Sequence, residues 1–215
     1  MTKFIIKYSD FEFPGLLKEM SDCPKNLYCV GNTELLKSKK IISVVGSRNM
    51  SLYGKRLIGE LVYKLVKDDW VIVSGMAYGV DSEVHWKCVQ NKGKTIAVLA
   101  SGADMATPKG NSEIYKMIVN NGGLIISEMN FGEFPKSKNE FLKRNRIVAG
   151  IGVGVVVIEG GVRSGSLVTA RLAAEEGREV WAVPGRIFDE NSMATNWLIK
   201  NGATIVINTQ EIGLK

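Results

Sequence analysis

The chain has 215 residues, 45% of them hydrophobic, enough to bury a substantial core in one domain with an appendage. Its 28 Lys and Arg against 22 Asp and Glu give a formal charge of +6, a balance that suits a polyanionic partner without specifying one. Cys23, Cys29 and Cys88 form no CxxC pair and His85 is the only histidine, which excludes a disulfide framework and a thiolate or histidine zinc site; no apolar run resembles a membrane span or an export signal, so a soluble protein of the reduced cytoplasm is expected.

Residues 1–40 lack the periodicity of the rest of the chain. Phe13-Pro-Gly15 reads as a turn and Leu27–Gly31 as a strand, and the segment is expected to be a small N-terminal extension packed on the core. From residue 41 to 215, apolar runs alternate with helical patterns, the signature of an α/β domain with a doubly wound, mostly parallel sheet. Strands are predicted at 41–45, 70–73, 95–100, 123–127, 153–158 and 179–183. Between them, Tyr53–Lys67 places Leu57, Leu61, Val62 and Leu65 on one helical face and leaves Lys55, Arg56, Lys64 and Lys67 to solvent. Further helices are predicted at 80–91, 111–121, 138–149 and 166–177, with glycines at Gly93, Gly123 and Gly177 ending three of them. The stretch from Ala203 onward is read as too short for another domain.

The loops after the strands carry the chemistry. Ile41-Ile-Ser-Val-Val-Gly46-Ser47-Arg48 ends an apolar strand in a glycine turn and a permanent cation, an anion site at the carboxyl end of a strand. Ser74-Gly75-Met-Ala-Tyr-Gly-Val-Asp81, Ser101-Gly-Ala-Asp104 and Glu159-Gly-Gly-Val-Arg-Ser164-Gly165-Ser166 are rich in small residues. Such residues let backbone amides approach phosphate oxygens, and a helix starting near Ser166 adds the positive end of its dipole. No GxxxxGK[ST] is present, and Gly150-Ile-Gly152-Val-Gly154 leads into a strand where a dinucleotide fingerprint must leave one. In Phe141-Leu-Lys143-Arg144-Asn145-Arg146 an aromatic precedes three cations: the cations suit phosphates, and Phe141 either stacks on an unpaired base or packs in the core.

Taken in order, Val45–Arg48, Tyr53-Gly54, Val73–Asp81 with His85, Ala97–Gly102, Pro108 with Asn111, Ser127-Glu128, Phe141 with Arg144–Gly150, Ser164–Ala173, Gly177–Val180, Ala182–Gly185 and Asn196 through Gly202-Ala203 resemble the DNA-processing protein A (DprA/Smf) family over about Leu27 to Ala203. The resemblance implies an extended Rossmann-like fold and a recombination mediator with no catalytic residue, cofactor or metal. Such a protein binds single-stranded DNA, protects incoming strands in natural transformation, loads the RecA recombinase and acts as a homodimer. Its nucleic-acid contacts would be Gly46, Ser47, Arg48, Ser74, Gly75, Lys138, Phe141, Lys143, Arg144, Asn145, Arg146, Ser164, Gly165 and Ser166. Tyr78 stands where relatives carry Arg, and the chain ends before the winged-helix-like domain that many of them have.

Two other classes compete. The phosphoribohydrolases of the LOG type carry Pro-Gly-Gly-x-Gly-Thr-x-x-Glu, which Glu159–Thr169 matches poorly, with Thr169 at the position of the catalytic glutamate. A small nucleotide-sensing Rossmann protein is the other. Asp81, Asp104, Glu128 and Glu159 stand at strand ends and could serve as acids or bases, but are expected to bind backbone amides and cap helices.

Overall fold

The computed structural model describes residues 2–209 and 212. In chain order the elements are β1 (Lys3–Lys7), α1 (Gly15–Lys18), β2 (Asn26–Gly31), β3 (Ile41–Val45), α2 (Leu52–Lys67), β4 (Val71–Ser74), α3 (Val80–Gln90), β5 (Lys94–Val98), α4 (Ser112–Asn120), β6 (Leu124–Ser127), α5 (Lys138–Gly150), β7 (Gly154–Val157), α6 (Gly165–Glu175), β8 (Glu179–Ala182), α7 (Met193–Lys200) and β9 (Thr204–Ile205). They build one nine-stranded sheet in the order β1-β2-β6-β5-β4-β3-β7-β8-β9. Pairing is parallel from β6 through β9 and antiparallel for β1 with β2 and β2 with β6.

Residues 1–40 contribute in two ways. β1 and β2 extend the sheet edge-on beside β6, while Phe13, Leu17 and Met20 lie buried in the core against α5 residues Ile147 and Val148. The segment is therefore partly inside the sheet, because Leu27, Cys29 and Val30 need a neighbouring strand to satisfy their backbone as well as a face to bury them.

The central strands are buried throughout, and successive residues feed opposite faces. Ile41 and Val45 of β3 join the core beneath α1, α5, α6 and α7, and Ile42 and Val44 join that beneath α2 and α3. α4 covers the latter face farther along, through Ile114, Tyr115 and Ile118. α2 shows why such segments are helical. Ser51 caps it by accepting from the Gly54 amide at 3.0 Å, Lys64 and Lys67 occupy its last turn, and Ile58, Leu61, Val62 and Leu65 form a fully shielded stripe. Each such side chain contributes about 1.5–3 kcal/mol through burial.

The order reverses between β3 and β7, which lie side by side although α2 leaves β3 toward one face and α6 leaves β7 toward the other. Diverging connections open a crevice at the carboxyl ends of these strands. Among the described residues no helix is long and apolar enough to cross a membrane.

Candidate nucleic-acid interface

The crevice holds a cleft of about 850 Å³ between the loop after β3, the first turns of α5 and the start of α6. The loop carries Arg48, exposed to solvent, and is fixed on two sides. The Val80 amide donates to the Ser47 carbonyl at 3.0 Å, an approach that admits only glycine at position 79, where φ is +76° and a Cβ would collide with that same oxygen. On the other side Asn191 donates through Nδ2 to the Asn49 carbonyl at 2.9 Å, and its Oδ1 lies 3.2 Å from Ser47 Oγ.

Both helices present their amino ends. Ser164 caps α6, accepting from the Leu167 amide at 3.2 Å and from Ser166 Oγ at 2.9 Å, so the first turn of an 11-residue helix faces the cleft. At α5 the Glu140 carboxylate accepts from the Lys136 and Ser137 amides, which makes Lys138 the first helical residue. A cation there opposes the helix dipole and stabilises nothing within the helix; facing the cleft, it suits an external anion.

Gly46, Ser47, Arg48, Gly75, Lys138, Phe141, Arg144, Asn145, Ser164, Gly165 and Ser166 all line this cleft. Phe141 is half-buried in its wall. Three other residues expected at the site stand elsewhere. Ser74 is wholly buried and donates to the Val44 carbonyl at 2.7 Å. Arg146 is buried, with Nε 2.8 Å from Asp22 and its NH2 nitrogen 2.8 Å from both Glu128 oxygens, and Lys143 lies 3.4 Å from the same Glu128. Ser74 is turned into the sheet as the last, buried residue of β4, and helix geometry accounts for the two cations: Phe141, Arg144, Asn145 and Val148 share one stripe of α5, and residues 143 and 146 fall on another.

Arg144 lies beneath the cleft surface. Its guanidinium donates to the carbonyls of Gly75, at 2.5 Å, and Val98, tying α5 to the carboxyl ends of β4 and β5. Burial pushes its pKa down to about 10, with Asp81 opposing the shift and Arg48 adding to it. Burial likewise raises the Asp81 carboxyl above its ordinary range, against the pull of Arg144 and of the Ala77 amide. Gly75 sits against both groups: a Cβ there would lie 2.8 Å from Asp81 Oδ2 and 2.9 Å from Arg144 Cζ.

Of the other strand-end carboxylates, Glu159 and Asp104 bind backbone amides as expected, whereas Glu128 pairs with the Arg146 and Lys143 side chains instead. Glu159 accepts from the Ser51 amide and hydroxyl, both at 2.7 Å, at the start of α2, and Asp104 accepts from Lys3 and the Gly132 amide. His85 is fully buried on α3 beside Thr95, away from the cleft. Burial pushes the Cys29 and Cys88 thiols up to about 12, and among the described residues no group of three His, Cys, Asp or Glu side chains could hold a metal. Among the polar cleft residues not assigned a contact from the sequence are Arg163, exposed in the loop before α6, and Asn49. Arg163 could have been found, since it is a cation inside a loop of small residues; Asn49 carries no such signal.

Fold and site together define a doubly wound α/β protein with an open, cation-bearing cleft at the switch point of its sheet. The chain belongs to the DNA recombination-mediator protein A family, whose model matches residues 4–214. It is 43% identical over 200 residues to DNA processing protein DprA of Streptococcus pneumoniae, covering 93% of this chain and 70% of that one. The crystal structure of the S. pneumoniae protein superposes with a TM-score of 0.90 at 41% identity, over 98% of this chain and 73% of that one. DNA processing protein A of Helicobacter pylori, whose structure was described for its single-stranded DNA binding mode, matches with a TM-score of 0.88 at 31% identity, over 98% of this chain and 93% of that one.

Proposed function

We propose that the cleft binds the backbone of single-stranded DNA and that the chain acts as a recombination mediator in the cytoplasm, protecting incoming strands in transformation or recombination and passing them to RecA as a homodimer. In this reading residues 41–215 are the DNA-binding domain and residues 1–40 its extension. The observation that carries it is the convergence on one cleft of Arg48, Lys138, the α6 amino end and the half-buried ring of Phe141, cations and amides for phosphates beside an aromatic for a base. The H. pylori relative, which binds single-stranded DNA, supports it. We keep Gly46, Ser47, Arg48, Gly75, Lys138, Phe141, Asn145 and Ser164–Ser166 as contacts, with Arg144 as the charge beneath them. A catalytic role gains no support from Glu159, which is occupied in capping α2.

Fluorescence anisotropy with oligothymidylates of increasing length, at two salt concentrations and with a mononucleotide competitor, tests this reading. Affinity should rise over several nucleotides and fall with salt, with a log-log slope near −0.7 for each phosphate contacted, and Arg48→Ala should weaken binding and flatten that slope by roughly one contact. Equal affinity for a mononucleotide and a long strand would overturn it in favour of a nucleotide sensor.

A further inference from the structure

Beyond the bridge formed by Ser47, Asn49 and Asn191 lies a second compartment, of about 950 Å³, at the carboxyl ends of β7 and β8. Asn49 lines both spaces, so they adjoin across the loop that carries Arg48. We propose that this compartment is a nucleobase subsite, which takes an unstacked base of the strand held in the first cleft against the rings of Tyr53 and Phe188. The proposal rests on the single-stranded DNA reading above.

Its chemistry differs from that of the first cleft. Glu159, Asp189 and Glu190 line it and, among the described residues, Arg186 is its one cationic lining residue, a balance that repels phosphate but leaves an uncharged base free to enter. Two aromatic rings line it and stand open to solvent, Phe188 at 89% exposure and Tyr53 at 58%. An apolar ring left open to water beside a ligand crevice gains by being covered. The loop that carries Phe188 is built in place. Asn196 clamps Gly185 through a reciprocal pair of hydrogen bonds at 3.1 and 3.0 Å, and the turn closes through the Asp189 amide to the Arg186 carbonyl at 3.1 Å and the Ser192 amide to the Asp189 carbonyl at 2.9 Å. A ring on a pre-ordered loop loses little freedom when a base stacks on it. Continuity with the cleft and an acidic lining commit the occupant to a base of the same strand.

The test uses the full chain with Phe188→Ala and Tyr53→Ala, both side chains being exposed enough to remove without opening the core. Phe188→Ala should weaken a long oligothymidylate about 10-fold with an unchanged salt slope, since stacking releases no counterions. It should leave affinity unchanged for an oligonucleotide short enough to fill only the first cleft. A strand bearing 5-iodouracil should crosslink to the peptides containing Tyr53 or Phe188. Unchanged long-strand affinity in Phe188→Ala, with Arg48→Ala still weakened, overturns the subsite and spares the DNA reading. A shift in oligomeric state with DNA affinity intact overturns it too, making the patch a protein interface. Failure of the unaltered chain to bind any strand removes both.

Discussion

Arg144 and Arg146 lie two positions apart on one helix, yet only the first reaches the cleft. The cluster Lys143-Arg144-Asn145-Arg146 was legible as a concentration of charge, but its division was not. Polar residues occupy more than one side of α5, so nothing in the spacing says which side meets the strand ends and which meets Asp22 and Glu128. The division makes a prediction. Arg146→Ala should lower stability in urea by about 2 kcal/mol, because it removes the buried guanidinium that joins Asp22 and Glu128 and leaves the part-buried Glu128 only the more distant Lys143, and should leave the salt slope of DNA binding as it was; a flattened slope would return Arg146 to the phosphate contacts. At Gly75 the expectation is a combined loss. Gly75→Val drives a branched side chain against Asp81 and Arg144, and a core forced apart in this way loses about 1–3 kcal/mol. DNA affinity should fall with it, because displacing Arg144 withdraws the charge beneath the cleft. Wild-type affinity in a folded Gly75→Val chain would remove Arg144 from the binding account.

At the level of elements, the alternation from β3 to β8 was readable because buried parallel strands are continuous apolar runs and each intervening helix carries a shielded stripe. α7, β1 and β9 escaped that reading. α7 is 8 residues long and β9 only 2, too short to establish a period, and β1 buries only Ile6 of its 5 residues. The joint between β7 and α2 also lies outside any local pattern, since Glu159 reaches an element more than a hundred positions earlier. Glu159→Gln tests its role. A glutamine offers one acceptor oxygen where the carboxylate offers two, so the Ser51 amide and hydroxyl no longer each have an oxygen of their own to donate to, and the charge that strengthens both bonds is lost. A stability loss of about 1–2 kcal/mol is expected, together with faster amide hydrogen exchange confined to the first turn of α2. Uniform acceleration across the sheet would show that Glu159 supports more than this cap.

For the molecule as a whole, the doubly wound class followed from the order of strands and helices along the chain, whereas the strand order did not. Placing β3 beside β7 depends on how layers pack, through contacts such as Ser43 Oγ donating to the Val148 carbonyl at 2.6 Å, and that adjacency is what creates the cleft. The lone histidine shows a related limit: the sequence put it on a helix, but only the packed molecule sets its proton. Thr95 Oγ1 donates to the Ile72 carbonyl at 2.7 Å, so its hydroxyl can only accept from His85, whose Nδ1 lies 2.8 Å away and must carry the hydrogen of a neutral ring. Burial, reinforced by Arg144 and opposed by the Ser74 backbone, pushes the His85 pKa down to about 3. An unfolded chain, with a histidine pKa of about 6.5, takes up this proton first as pH falls. The stability owed to the neutral ring is therefore complete above about pH 6.5 and declines steadily toward pH 3, by about 2 kcal/mol between pH 7 and pH 5. Asp81, whose folded pKa is raised, works in the opposite direction, so a comparison of chains that both contain it isolates the histidine. Urea unfolding at pH 7 and pH 5 should show the loss in the unaltered protein and little of it in His85→Gln, whatever the variant's stability at pH 7. Equal losses in the two chains would mean that His85 is already protonated in the folded core.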